Sequence, residues 1–279
     1  MANDTSDPKP KHTFTFMGTA AGCGVPSFFC DCPACTEARA DERLRRGDCG
    51  VMIRGVADEG GHVPTLMIDT PPDARHQLLR EGIRQIDEIA FTHCHFDHIG
   101  GLGEYEYLVQ LVRGGTPLPA YGSPEALQGI AKEFEYMTYC LDFRLLEPFQ
   151  NFEFDGVKLT ALPVAHAPGT YGYLIETDST RMFYASDTGR LPDKTAEAIR
   201  GVDILAMDAT FWKKCWNPES HHSVQECIAE GLELDAGKIY LTHMCMHYDE
   251  PITYAELVEY LKRYDGRVVA ALDGMTIDI

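Results

Sequence analysis

The amino-acid sequence predicts an α/β sandwich, sheets covered by helices, and three observations carry that expectation. Apolar runs of strand length recur along the chain, helical patterns fall between many of them, and no repeat, low-complexity tract or long linker interrupts the series. The strand-like runs, in order, are His12 to Met17, Val51 to Arg54, Thr65 to Asp69, Glu88 to Cys94, Val157 to Leu162, Gly172 to Glu176, Met182 to Ala185, Ile204 to Met207, Ile239 to Thr242 and Val268 to Leu272. Between them, Pro72 to Glu81, Glu104 to Val112, Pro124 to Tyr136, Lys194 to Arg200, Val224 to Glu233 and Tyr254 to Tyr264 mix apolar and polar residues as packed helices do. Ser223 to Glu226 reads as a capping box opening one of them.

A chain of 279 residues, 44% hydrophobic and 24% charged, is long enough for one large domain. Residues 12–279 are expected to form it, with a Cys-rich insertion over about 23–49, behind a polar tail at residues 1–11. The apolar runs are too short to cross a membrane, and the polar, Pro-containing start is unlike a signal peptide. Ten cysteines without an export signal point to a reducing compartment, the cytoplasm. Twenty-four Lys and Arg against 43 Asp and Glu leave a net charge of -19, which repels nucleic acid and anionic lipid. Bound cations can still draw a small anion into a cleft.

The run His93-Cys94-His95-Phe96-Asp97-His98 sets three imidazoles and a carboxylate within six residues. These donors suit zinc, manganese or iron, and two such ions side by side activate water at neutral pH. The motif follows the apolar run EIAFTHC and precedes a glycine-rich turn and a helical pattern, a strand, ligand loop and helix in succession. His93 and His95, two apart, can reach one ion, while Asp97 and His98 can reach a second. Each ion needs about three protein ligands, so more must come from elsewhere. His166, Asp187 and His243 each end an apolar run, the layout of a strand delivering one polar ligand at its tip.

HCHFDH followed in order by His166, Asp187 and His243 resembles the metallo-β-lactamase superfamily, and the likeness runs from MGTAAGCG to LDGMTI. The resemblance implies an αβ/βα sandwich of two mixed sheets flanked by helices, with a binuclear centre along the edge between them. It assigns one divalent ion to His93, His95 and His166, the other to Asp97, His98 and His243, and a bridging position to Asp187 beside a nucleophilic hydroxide.

Cys30, Cys32 and Cys35 form a C-x-C-x-x-C trio that reads as three ligands of a structural zinc. This segment, with SDTGRLPDKT and the pair His221-His222, resembles the phosphoribosyl 1,2-cyclic phosphate phosphodiesterases of the phosphonate-degradation (carbon-phosphorus lyase) pathway. That family takes its fourth zinc ligand three residues past the last catalytic histidine, where this chain has Met246. His247 is favoured in its place, Cys245 is the alternative, and Cys23 and Cys49 rank behind them. His222 stands just ahead of a helix N-terminus, which attracts anions, and the resemblance makes it the general acid. The adjacent His221 competes for that role. Asp69, Asp208 and Asp273 are candidates for supporting the ligands from behind, and Trp212 and Trp216 for flanking a substrate. His12, His62 and His76 suggest nothing beyond the surface.

The resulting expectation is a binuclear metal-dependent phosphodiesterase acting on a small anionic phosphodiester, cyclic by the resemblance, with one structural zinc besides. A carbonyl substrate, thioester or lactam, is the first alternative. AAGCGVPSFFCDC also resembles the opening of pyrroloquinoline-quinone biosynthesis protein B, a carrier or specialised oxygenase with a degenerate metal motif; the intact ligand set here argues against that. The branch that processes tRNA 3′ ends shares the ligands, but its RNA-gripping arm has no counterpart in this sequence. Oligomeric state, a homodimer included, is left open.

Overall fold

The computed structural model describes residues 11–247 and 250–279, so all of the expected tail except Lys11 lies outside it. In chain order the strands are β1 (Thr13–Gly18), β2 (Gly50–Arg54), β3 (Thr65–Ile68), β4 (Glu88–Ala90), β5 (Leu118–Gly122), β6 (Leu141–Leu145), β7 (Asn151–Phe154), β8 (Val157–Pro163), β9 (Tyr171–Glu176), β10 (Arg181–Ala185), β11 (Ile204–Asp208), β12 (Lys238–Thr242), β13 (Val268–Ala270) and β14 (Thr276–Asp278). The helices are α1 (Pro33–Ala40), α2 (Ala74–Arg80), α3 (Phe96–Ile99), α4 (Glu104–Tyr107), α5 (Pro124–Glu133), α6 (Asp193–Ile199), α7 (Val224–Glu233) and α8 (Tyr254–Leu261).

Two seven-stranded sheets form, ordered β14-β1-β2-β3-β4-β5-β6 and β13-β12-β11-β10-β9-β8-β7. Strands β3 to β6 run parallel in the first, and β10 to β13 in the second, so each set ends its strands along one edge. Those carboxyl edges are where α/β proteins place ligands. Between the sheets pack Phe14, Phe16, Leu66, Ile68, Tyr173 and Tyr184. Helices α2, α4 and α5 cover the outer face of the first sheet, where Tyr105 of α4 joins Met67 and Ile89, while α1, α6, α7 and α8 cover the second, where Ile228 of α7 joins Leu205 and Met207. Leu66 and Ile68 face inward and Met67 outward, the two-residue alternation of a strand, and burial of both faces explains why TLMI is apolar throughout.

Strands β5 and β14 are additions to the expected elements, and three further departures have simple causes. The run Glu88 to Cys94 leaves the sheet after Ala90, because the Thr92 amide turns to donate to the Asp69 carboxylate at 2.8 Å. The ligand motif therefore sits on a loop and on α3. Strands β6 (LDFRL) and β7 (NFEF) lie at sheet edges with exposed charged residues, so they lack an apolar run to read. Helix α1 starts inside the Cys-rich segment, capped by the Cys32 sulfur, which accepts from the Cys35 amide at 3.5 Å.

Candidate active site

The loops leaving β4, β8, β10 and β12 converge on the edge between the sheets and bring all seven expected ligands together. Nε2 of His98 stands 3.0 Å from Oδ2 of Asp187 and 3.5 Å from Oδ2 of Asp97. Nε2 of His243 stands 3.2 Å from Oδ1 of Asp187 and 3.6 Å from Oδ2 of Asp97. Nε2 of His166 lies 3.1 Å from Nδ1 of His95 and 3.8 Å from Oδ1 of Asp187. Three overlapping clusters result: His93 with His95 and His166, Asp97 with His98 and His243, and His93 with His98 and Asp187.

Behind these atoms, hydrogen bonds fix the rings of His93, His98, His166 and His243 with Nε2 facing the cluster. Asp69, wholly buried, accepts from the Thr92 amide and, at 2.7 Å, from the Thr92 hydroxyl, and takes Nδ1–H of His98 at 2.9 Å. With its proton spent on Asp69, the Thr92 hydroxyl accepts from Nδ1 of His93 at 3.0 Å. Asp208 repeats the device in the other half. It accepts from the Thr210 amide and, at 2.7 Å, from the Thr210 hydroxyl, which in turn takes Nδ1 of His243 at 2.8 Å. The Ser220 carbonyl accepts from Nδ1 of His166 at 3.0 Å. Histidines held this way are oriented as metal ligands. Asp69 (φ 64°) and His243 (φ 54°) hold left-handed backbone conformations that non-glycine residues adopt at a cost, as is common where a site dictates geometry.

The cluster fits divalent cations on two counts. Nε2 of His93, His98 and His243 and Oδ2 of Asp187 are buried without a well-directed hydrogen bond among the described residues, a costly state unless an ion takes their lone pairs. The local field also calls for positive charge. Burial works against protonation of His98, yet Asp187, Asp97 and Asp69 raise its pKa well above 6.5; burial likewise opposes His243, which Asp187 and Asp97 hold up to about 9.

One expected catalytic residue is corrected. His222 lies outside the cleft, buried, with Nδ1 at 2.7 Å from the Thr188 carbonyl and Nε2 at 2.8 Å from Oε2 of Glu230 on α7. Buried and absent from the cleft lining, it is not placed to meet a substrate there. His221, on the opposite side of the backbone, lines the cleft instead. Its Nδ1 lies 2.7 Å from Oδ2 of Asp208 and 4.0 Å from Oδ1 of Asp187, and its ring stacks on His243 with centroids 5.6 Å apart. The His222 pair is structural. Burial disfavours its charged form, but Glu230, Asp208 and the Thr188 carbonyl outweigh burial and raise its pKa above 6.5. A raised folded pKa stabilises fully below the unfolded value and fades as pH climbs through the folded one. His222→Gln is therefore expected to lower Tm most below about pH 6.5, by the equivalent of about 1–2 kcal/mol, with the gap to the parent closing at higher pH. A pH series of thermal melts checks this; a gap that widens with pH contradicts it.

The cleft encloses about 620 Å³. Phe96, Phe211, Trp216 and Asn217 wall it around His95, Asp97, His166, Asp187, His221 and His243, and no Lys or Arg lines it among the described residues. Trp216 and Phe96 are mostly exposed, whereas Trp212 packs edge-on against Tyr260 at 4.7 Å and does not line the cleft. Asp48 also borders the cleft, a residue the sequence did not single out. Asp273 lies elsewhere: it accepts from Thr19 at 2.7 Å and from the Gly47 amide at 2.8 Å, pinning the end of the Cys-rich segment. His12 and His62 pair with Asp155 and Asp87 on the surface.

The Cys-rich segment gathers Cys30, Cys32, Cys35 and His247 into a four-donor cluster, with Nδ1 of His247 3.6 Å from the Cys35 sulfur. Cys49 is buried apart from it, 3.4 Å from the Thr242 hydroxyl. Burial, then the neighbouring thiols Cys30 and Cys32, push the Cys35 thiol up to about 12, and a cation beside it would favour its thiolate. Donor types and count suit zinc. Cys32→Ser is expected to remove one zinc per chain and lower Tm clearly, since a structural zinc contributes directly to folding. Metal analysis with thermal unfolding measures it, and an unchanged metal count contradicts it.

A family model described as Beta-lactamase superfamily domain matches residues 65–244. Coenzyme PQQ synthesis protein B of Methylobacterium radiotolerans is 30% identical over 225 residues, covering 70% of this chain and 71% of that protein. Ribonuclease Z of Archaeoglobus fulgidus is 25% identical, covering 77% and 88%. Among solved structures, a new diphosphatase from the PhnP family superposes with a TM-score of 0.80 at 28% identity, covering 96% of this chain and 98% of the other. No helix among the described residues is long and apolar enough to cross a membrane.

Proposed function

The chain belongs to the β-lactamase superfamily, and from that membership we propose that it is a phosphodiesterase with two divalent metal ions, which opens a small phosphodiester. One ion is assigned to His93, His95 and His166, the other to Asp97, His98 and His243, with Asp187 shared between them. Bound there, the pair supplies activated water and neutralises charge on the phosphate oxygens.

The single observation that carries the phosphodiester reading is the His221–Asp208 pair facing the metal cluster. Asp208 takes Nδ1–H of His221 at 2.7 Å, which orients the ring and would stabilise its imidazolium form, the form whose Nε2–H would be given to the departing oxygen. An alkoxide leaving group needs that proton, whereas a thiolate hardly does. The same carboxylate steadies His243 through Thr210, so proton donor and ligand share one support. A diester carries one negative charge, which matches a cleft that no Lys or Arg lines among the described residues, where added phosphates would meet no cationic side chain of theirs. Trp216, Phe211 and Phe96 offer apolar walls to the ester groups. The likeness to a PhnP-family diphosphatase and to ribonuclease Z supports phosphorus over carbon as the attacked centre.

The direct test is turnover of bis(p-nitrophenyl) phosphate beside a thioester and a lactam, with metal-loaded protein. Hydrolysis of the diester is expected; hydrolysis of the other two alone defeats the proposal. The 30% identity to coenzyme PQQ synthesis protein B favours a second, non-hydrolytic reading. Metal-replete protein that turns over none of the three substrates would favour it.

A further inference from the structure

His247 faces thiols at both ends of its ring. Nδ1 lies 3.6 Å from the Cys35 sulfur, within the Cys30, Cys32 and Cys35 cluster, and Nε2 lies 3.5 Å from the Cys23 sulfur. Cys245 joins the second end, its sulfur within 4.8 Å of both Cys23 and His247 donor atoms. The two nitrogens of an imidazole point apart, so one ion cannot use both.

We propose that Cys23, Cys245 and Nε2 of His247 hold a further zinc ion, beside the Cys30–Cys32–Cys35 site and sharing its ring as a bridging imidazolate, whose remaining N–H proton is released to solvent as the second ion binds. The inference rests on the reading that His247 serves that site through Nδ1. Bond lengths of about 2.3 Å to sulfur and 2.05 Å to nitrogen at a tetrahedral zinc set a sulfur-to-nitrogen spacing of about 3.6 Å. Both ends of His247 show that spacing, within 0.1 Å. Two sulfurs and one nitrogen are soft donors, which select a thiophilic ion over magnesium or calcium. Three protein ligands leave one position open, and Cys23 borders both the catalytic cleft and the groove beside it, so that position is reachable from solvent. Cys23 also holds a left-handed backbone, φ 78°, in a loop that no helix or strand dictates. Metal ligation gives that strained residue a reason to persist.

The test compares zinc content per chain, after zinc loading and removal of free metal, in Asp187→Asn and in Asp187→Asn combined with Cys23→Ser. The first variant is expected to retain about two ions, both in thiol sites, and the second about one. A difference of one supports the proposal whatever the starting number, and no difference overturns it. The starting number reads the proposed function separately: about four ions in Asp187→Asn would mean that the catalytic centre had not been emptied. Cys23 is exposed, so folding is expected to survive the change, and thermal melts of both proteins verify it. Cobalt loading gives a second readout, since thiolate-to-cobalt absorption is expected to fall in the double variant and an unchanged spectrum overturns the proposal.

Discussion

Asp187→Asn is expected to strip both catalytic ions together and to reduce turnover about a thousandfold or more, the scale of several kcal/mol of lost charge stabilisation. Among the described residues, Asp187 is the carboxylate in reach of both halves of the cluster, 3.0 Å from His98 and 3.2 Å from His243 by its two oxygens and 3.8 Å from His166. Asparagine keeps the size and loses the charge. Its amide would aim hydrogens at imidazole nitrogens that are to receive a cation, so the variant fills the pocket and defeats the ions. Metal analysis and kcat, measured on the same preparation, decide the matter. A variant that keeps two catalytic ions and full turnover removes Asp187 from the bridge.

His221→Ala is expected to cost about a hundredfold to ten-thousandfold on a dialkyl phosphodiester, the usual scale of general acid catalysis, with metals retained. On bis(p-nitrophenyl) phosphate, whose leaving group departs without a proton, the loss is expected to be small. His222→Ala is expected to behave oppositely. It removes a buried partner of Glu230 and of the Thr188 carbonyl, so Tm falls while the contrast between the two substrates stays as in the parent. Equal losses on both substrates for His221→Ala would reduce that residue to a structural part. The reverse pattern for the two histidines would restore His222 to the chemistry.

The sequence brings together the residues of this cluster because its candidate ligands are dense and punctuated. HCHFDH is a compact cluster, and His166, Asp187 and His243 each follow an apolar strand at its carboxyl end, where α/β sheets place ligands. The choice between His221 and His222 was beyond local pattern. Adjacent residues share every one-dimensional signal, the capping box included, and only Asp208, delivered by a different strand, identifies the cleft-facing ring. The paired supports Asp69–Thr92 and Asp208–Thr210 were half visible, as carboxylates at strand ends. Their relay through a threonine hydroxyl depends on loops that pack only in the folded chain. Edge strands β6 and β7 escaped because an exposed edge need not be apolar, and α1 because a cysteine served as its cap.

The most direct measurement is diffraction from metal-replete crystals, collected on both sides of the absorption edge of the loaded metal. The expected map shows two anomalous peaks in the cleft. One lies at about 2.0–2.3 Å from Nε2 of His93 and His166 and from Nδ1 of His95, the other at similar distances from Asp97, His98 and His243, with Asp187 touching both. A single peak, or peaks that leave Asp187 and His243 without metal contact, contradicts the binuclear centre on which the proposed hydrolysis depends.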